Sequence, residues 1–223
     1  VPQANVPEPV PPGLALLDKA LSLQAPLVER HIARLRRNRP DASPAQILKR
    51  LNAELRAATI SSGAGVGAVA ALPKVGTKTA LTVSGAEVVG FLNAAVLYVL
   101  SRADLHGVPL HDIERRRTLV MAVMLGEAGA KSVERVAERT GQHWGRQLVK
   151  NIPQARIKAI NDVLGRHFVT KYGTKEGIIV LGRVIPFGIG AVIGGAANAL
   201  TSHGIIKAAD RAFGSAPEAW ELA

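Results

Sequence analysis

Ser43-Pro44-Ala45-Gln46-Ile47-Leu48-Lys49-Arg50-Leu51-Asn52-Ala53-Glu54-Leu55-Arg56-Ala57-Ala58 is the stretch on which the reading of the fold turns. Ser43 stands where a helix cap belongs, Pro44 where a helix tolerates a missing N–H, and Gln46 three residues after the cap. Ile47, Leu48, Leu51, Leu55 and Ala58 then recur at intervals that line up on one helical face. A helix with one buried stripe follows, and no stretch of the chain sustains the period-2 alternation of a strand.

Toward the N-terminus, Leu14, Leu17 and Leu21 have helical spacing, and Pro26 is expected to restart the chain. A second helix then carries Val28, Ile32 and Leu35 on one side and Arg30, Arg34 and Arg37 on the other, ending at Asn38-Arg39-Pro40. Toward the C-terminus, residues 57–73 carry no charge. After Lys74-Val-Gly-Thr-Lys78 an apolar stretch runs to Leu100, interrupted only by Glu87. Leu105-His-Gly-Val-Pro-Leu110 reads as a loop. Asp112 is placed to cap a helix bearing Arg115, Arg116 and Arg117, then Leu119, Val120, Val123 and Met124. Val133, Val136, Ala137, Thr140, Trp144 and Leu148 predict one amphipathic helix with Lys131, Arg135, Arg139, Arg146 and Lys150 outside. Pro153 breaks it, and Ile157, Ile160, Leu164 and Phe168 continue helically. The last apolar stretch, Val184 to Ile206, has no Asp, Glu, Lys or Arg.

These elements predict an all-α, single compact multi-helix domain with Gly/Ala-rich apolar central helices over residues 14–213. A Pro-rich lead-in occupies residues 1–13, with no basic region followed by an apolar run to mark a secretory signal. Residues 214–223 read as a loose tail. Val184–Ile206 has the length of a membrane span, but Pro186, its glycines, Asn198 and His203 lower its hydrophobicity, so core packing is the preferred reading over insertion. Gly63 and Gly67, Gly90 and Ala94, Gly190 and Gly194, and Ala191 and Gly195 recur four apart, a spacing that lets helices approach closely. A faint echo between residues 85–94 and 190–199 would place Asn93 and Asn198 as a buried amide pair. With Glu87, they are the candidates for buried polar or cavity-lining positions.

The chain has 223 residues, with 28 Lys and Arg against 17 Asp and Glu, a formal charge of +11. Such a balance favours an anionic partner, unless arginine is merely used freely on solvated faces. Aromatic residues are only 4% and no nucleic-acid-binding module is recognisable, so nucleic acid is the weaker partner class. No cysteine is present, excluding disulfides and thiolate metal sites. Gly63-Ala-Gly65-Val-Gly-Ala68 fits a degenerate dinucleotide pattern but follows a helix instead of a strand. The histidines never form the i, i+4 pair of a helical zinc site, although His106 and His111 flank one loop. No catalytic, cofactor-binding or metal-binding residue set is therefore expected. Glu87, within apolar sequence, is read as structurally paired. Gly76-Thr-Lys78 and Gly173-Thr-Lys175 read as caps with a weak capacity for anions.

Arg183-Val-Ile-Pro186-Phe-Gly-Ile-Gly190-Ala191-Val-Ile-Gly194-Gly195-Ala-Ala-Asn198-Ala199-Leu-Thr201, followed by Ala208-Ala209, resembles the closing motif of the EcsC family. Ala70-Ala-Leu-Pro73 and the apolar helix that ends near Leu105-His-Gly107 are similar to that family's first half. The resemblance covers residues 45–213, and Phe187-Gly188 departs from the aliphatic residues that members often carry there. It implies a bacterial, mainly helical protein of the actinobacterial type, and a membrane environment, since the family is named for a gene beside a transporter. It carries no catalytic residues across. The expected role is a non-enzymatic accessory or scaffold on the cytoplasmic side, peripherally attached to an anionic lipid surface or to a membrane protein complex of transporter type. Arg30, Arg34, Arg37, Arg115, Arg116, Arg117, Arg135, Arg139 and Arg146 would supply the attraction. The alternatives are a helical protein that binds lipid or a small hydrophobic ligand, with or without enzymatic activity, and a basic nucleic-acid-binding protein.

Overall fold

Ser43 and Gln46 cap the second helix reciprocally. The Ser43 N–H donates to Gln46 Oε1 at 2.9 Å, and the Gln46 N–H donates to Ser43 Oγ at 3.3 Å. Two of the backbone donors that a helix start leaves open are thereby satisfied. The computed structural model describes residues 12–70, 77–137, 143–173 and 189–220. They form α1 (Pro12–Asn38), α2 (Pro44–Ala70), α3 (Thr77–Leu105), α4 (Ile113–Leu125), α5 (Glu127–Ala137), α6 (Trp144–Asn151), α7 (Gln154–Phe168), a π-helical turn (Val169–Gly173) and α8 (Ile189–Phe213). The fold is all-α, and no strand occurs among the described residues.

α1 is one helix where two were expected, with Pro26 inside it. Leu17, Leu21, Val28, Ile32 and Leu35 are all buried and form one stripe that continues across the proline. Ending the helix at Pro26 would throw the two halves of that stripe out of line. Pro26 itself is exposed, so the carbonyl it leaves unbonded can be hydrated.

His31 of α1 meets Glu54 of α2 at 3.0 Å, and Tyr98 Oη of α3 donates to Asn52 Oδ1 of α2 at 2.8 Å. α3 packs along both α1 and α2, while α2 turns back past α1 and meets it chiefly at the His31–Glu54 pair. α8 packs along α2 and is tied to α3 through Asp210.

α4 is enclosed by α1, α3, α5, α6, α7 and α8, and every residue from Thr118 to Leu125 is buried. Its start is capped by Asp112, whose Oδ1 accepts from the Glu114 and Arg115 N–H groups at 2.8 and 3.2 Å. Its end is closed by Gly126 at φ 69°, the left-handed conformation that glycine adopts without strain. One turn into α5, Gly129 lies so close to α4 that a Cβ there would collide with the Ala122 carbonyl oxygen.

The amphipathic helix expected from Val133 to Leu148 is divided into α5 and α6. His143, at φ 66°, starts the second piece. After Pro153, Ile157, Ile160, Leu164 and Phe168 are buried as their spacing predicts. No helix among the described residues is long and apolar enough to cross a membrane.

The tail also differs from its expected looseness. Residues 214–220 are held by Arg102, His106 and Arg146, and by the Trp220 indole N–H, which donates to Ala42 O at 3.0 Å. Arg36 covers the Trp220 ring at 4.3 Å from its centroid. The anchors consist of backbone carbonyls and one indole, which the periodicity of apolar side chains does not reveal.

Candidate functional site

Positions 23, 27, 30, 34 and 37 alternate steps of four and three, which keeps them on one narrow strip of α1. This strip lies opposite Val28, Ile32 and Leu35 and faces outward. Leu23 is 54% exposed and Leu27 41%, and Arg30, Arg34 and Arg37 are exposed beyond them. Among the described residues these three guanidinium groups make no ion pair and no side-chain hydrogen bond. Arg39 and, on the neighbouring α2, Lys49, Arg50 and Arg56 are exposed as well. Glu54 is the local counterion, held by Arg50 at 2.9 Å and by His31. The result is an apolar pair of leucines continued by a cationic ridge.

The second arginine cluster is not a surface of this kind. Arg115 donates to Leu148 O at 2.6 Å and Ile152 O at 2.8 Å, closing the carbonyl end of α6 where a cation is favoured. Arg117 pairs with Asp18 at 2.7 Å and Glu114 at 3.0 Å. Glu114 also accepts from the buried Asn161, which in turn receives the Thr118 hydroxyl at 2.7 Å. Arg116 is half-buried. The physical reason is that α4 enters the core from Thr118 onward, so the arginines just before it lie against neighbouring chain and are only half exposed to solvent.

The third cluster is dispersed. Arg135 is exposed on α5, Arg146 donates to Ser215 O at 3.2 Å, and Arg139 lies outside the described residues.

Of the polar candidates, Asn93 is half-buried and its Oδ1 accepts from Gln24 Nε2 at 3.2 Å. That bond joins α3 to α1. Glu87 and Asn198 lie in α3 and α8, but their side chains fall outside the described residues, as does the neighbourhood of Gly63, Gly67, Gly190, Gly194 and Gly195. Gly90 is exposed with nothing within 4 Å of where a Cβ would stand. It is therefore not a close-packing position, because that face of α3 meets solvent. Most of both Gly-Thr-Lys breaks falls outside the described residues too. No group of His, Asp or Glu that could hold a metal ion occurs among the described residues.

Three polar positions, of which the sequence singles out only His106, as one of a loop pair with His111, make the most buried network among the described residues. Tyr98 and Arg102 stand four apart on the inner face of α3, and His106 follows at the same spacing just past its end. Arg102 is 0% exposed. It donates to Tyr98 Oη at 3.1 Å and Gly214 O at 2.9 Å, and pairs with Asp210 at 2.7 Å. Burial raises the Tyr98 pKa, partly offset by Arg102. The His106 ring stacks on Phe213 and meets Arg102 O at 2.8 Å and Ser215 O at 3.0 Å. Burial lowers its pKa, against the pull of these two carbonyls. The spacing 98, 102, 106 along an apolar helix was the available signal. Every member has a partner inside the fold, so the network fastens α2, α3, α8 and the tail together.

Comparison of the chain with protein-family models, with curated proteins and with solved structures found no match.

Proposed function

We propose that this protein is a non-enzymatic accessory that docks peripherally on an anionic membrane surface, alone or against a membrane complex of transporter type, through the outward strip of α1. One observation carries the reading: Leu23 and Leu27 are exposed in line with Arg30, Arg34 and Arg37, which are unpaired among the described residues. A helix lying on a bilayer wants leucines to enter the acyl boundary and arginines to meet phosphates. Each basic residue near such a surface contributes about 1 kcal/mol. The resemblance to the EcsC family supports the same environment, on the cytoplasmic side.

Flotation with vesicles tests it. The protein should rise with anionic phosphatidylglycerol vesicles and stay down with neutral phosphatidylcholine ones, and Arg30→Glu/Arg34→Glu/Arg37→Glu should abolish the association. Unchanged flotation of this triple variant would sink the assignment of α1. A gel shift of the wild type on random duplex DNA should show no affinity at moderate salt, and tight binding there would favour nucleic acid instead.

A further inference from the structure

A half-enclosed cleft of about 500 Å³ opens between α1, the C-terminal part of α3 and the loop that leads into α4. Its volume falls in the range of small-molecule sites. Val28 and Leu100 form part of its apolar wall, and Glu29, Asp104, His111 and Arg116 bring charge and polarity into it. Among the described residues, none of these four side chains makes a hydrogen bond or an ion pair. The neighbouring Arg115 and Arg117 are both engaged, whereas the Nε of Arg116 is buried without a partner. Two uncompensated carboxylates facing one cleft are also out of character for a chain of charge +11.

We propose that this cleft binds a small zwitterion, its ammonium group held by Asp104 and Glu29 and its oxyanion by Arg116. The chemistry follows from what the cleft lacks. Burial and the proximity of Glu29 both raise the Asp104 pKa, so a cation placed there relieves a charge that the fold leaves uncompensated. Arg116 has donors to give and no acceptor among the described residues. A metal ion is the poorer occupant, because no set of metal-ligating side chains is gathered among the described residues. The ligand chemistry, an ammonium and an oxyanion on a short linker, is common to free phosphoamines and to the headgroup of phosphatidylethanolamine.

Isothermal titration with phosphoethanolamine, ethanolamine and inorganic phosphate decides the matter. Phosphoethanolamine should bind at least ten-fold more tightly than either half. Asp104→Asn should reduce it to the level of phosphate, and Arg116→Gln to the level of ethanolamine. Asp104 has no side-chain bond to lose, so its variant should keep the wild-type circular dichroism, and it remains informative if Arg116→Gln misfolds. Absence of binding, binding no tighter than phosphate alone, or binding indifferent to Asp104→Asn would overturn the proposal. Phosphatidylethanolamine vesicles then identify the source. Competition between vesicles and free phosphoethanolamine supports a headgroup, and binding of the free compound alone supports a soluble ligand. The site is separate from the docking strip, so Arg30→Glu/Arg34→Glu/Arg37→Glu should leave phosphoethanolamine affinity unchanged.

Discussion

Arg102 and His106 show what a charged or titratable residue does when it is buried with its partners. Breaking a buried pair by removing one member leaves the other charge uncompensated. Asp210→Asn should therefore cost about 1–3 kcal/mol in chemical denaturation, less than the loss of a fully buried pair because the Asp210 side chain is 56% exposed. A cost below about 1 kcal/mol, the size of an exposed pair, would mean that water already compensates Arg102. His106 makes stability depend on pH. Its pKa is held down in the folded chain, so the unfolded chain binds the more protons, and stability rises with pH in that window. The contribution is complete above the unfolded value near 6.5 and is lost as the pH falls toward the folded one. The denaturation midpoint should drop more between pH 8 and pH 5.5 for the wild type than for His106→Gln; equal drops would dismiss the histidine as the cause. Asp104 has the opposite sign, because its raised pKa makes the folded carboxylate unfavourable at neutral pH. Asp104→Asn should raise the midpoint at pH 7, a gain that would fade in acid. None of these roles was legible from the residues alone, since spacing reveals which side chains share a face but not which carbonyl or counterion arrives from more than a hundred residues away.

At the scale of the element, local signals worked where the chain satisfies its own backbone and failed where tertiary contact overrides it. The Ser43–Gln46 box and the Asp112 cap are local, and both stand in the structure as their residues predict. Pro26 is a local stop signal outweighed by a buried stripe on either side of it. Arg115 and Arg117 satisfy a surface pattern but are drawn inward by the α6 carbonyls and by Asp18. On α1, by contrast, Arg30, Arg34 and Arg37 lie on the face that their periodicity assigned to solvent, while Leu23 and Leu27 on the same strip were missed because exposed leucines break the pattern. Helix contact also has a sharp test at Gly129, where α5 meets the α4 backbone. Gly129→Ala places a methyl group against the Ala122 carbonyl. It should lower stability by about 1–3 kcal/mol, the range of overpacking in a full core. A thermal midpoint within a degree of wild type would show that α5 shifts freely.

Over the whole molecule, charge and apolarity are separated along the bundle. Between positions 30 and 56 the α1–α2 hairpin holds eight basic and two acidic residues, more than half of the net +11. From the level where Asn52 meets Tyr98, the remainder of α2 runs away from that basic corner, and residues 57–73 carry no charge. Two modes of membrane attachment are thus conceivable for one architecture, and magnitudes separate them. Leu23 and Leu27 are already about half covered, so their remaining burial would yield roughly 1 kcal/mol each. Three arginines near an anionic surface yield about 3 kcal/mol, and the exposed cations beside them add to it. The proposed docking by α1 would therefore be mainly electrostatic. The screening length shrinks from about 10 Å at 0.1 M salt to about 3 Å at 1 M, so raising salt should release the protein from anionic vesicles. Leu23→Ser/Leu27→Ser should lower the salt concentration at which release occurs without preventing capture at low salt. Flotation that persists at 1 M salt would contradict docking by α1 and transfer the contact to the charge-free stretch of residues 57–73, where apolar area and not charge would hold the protein to lipid.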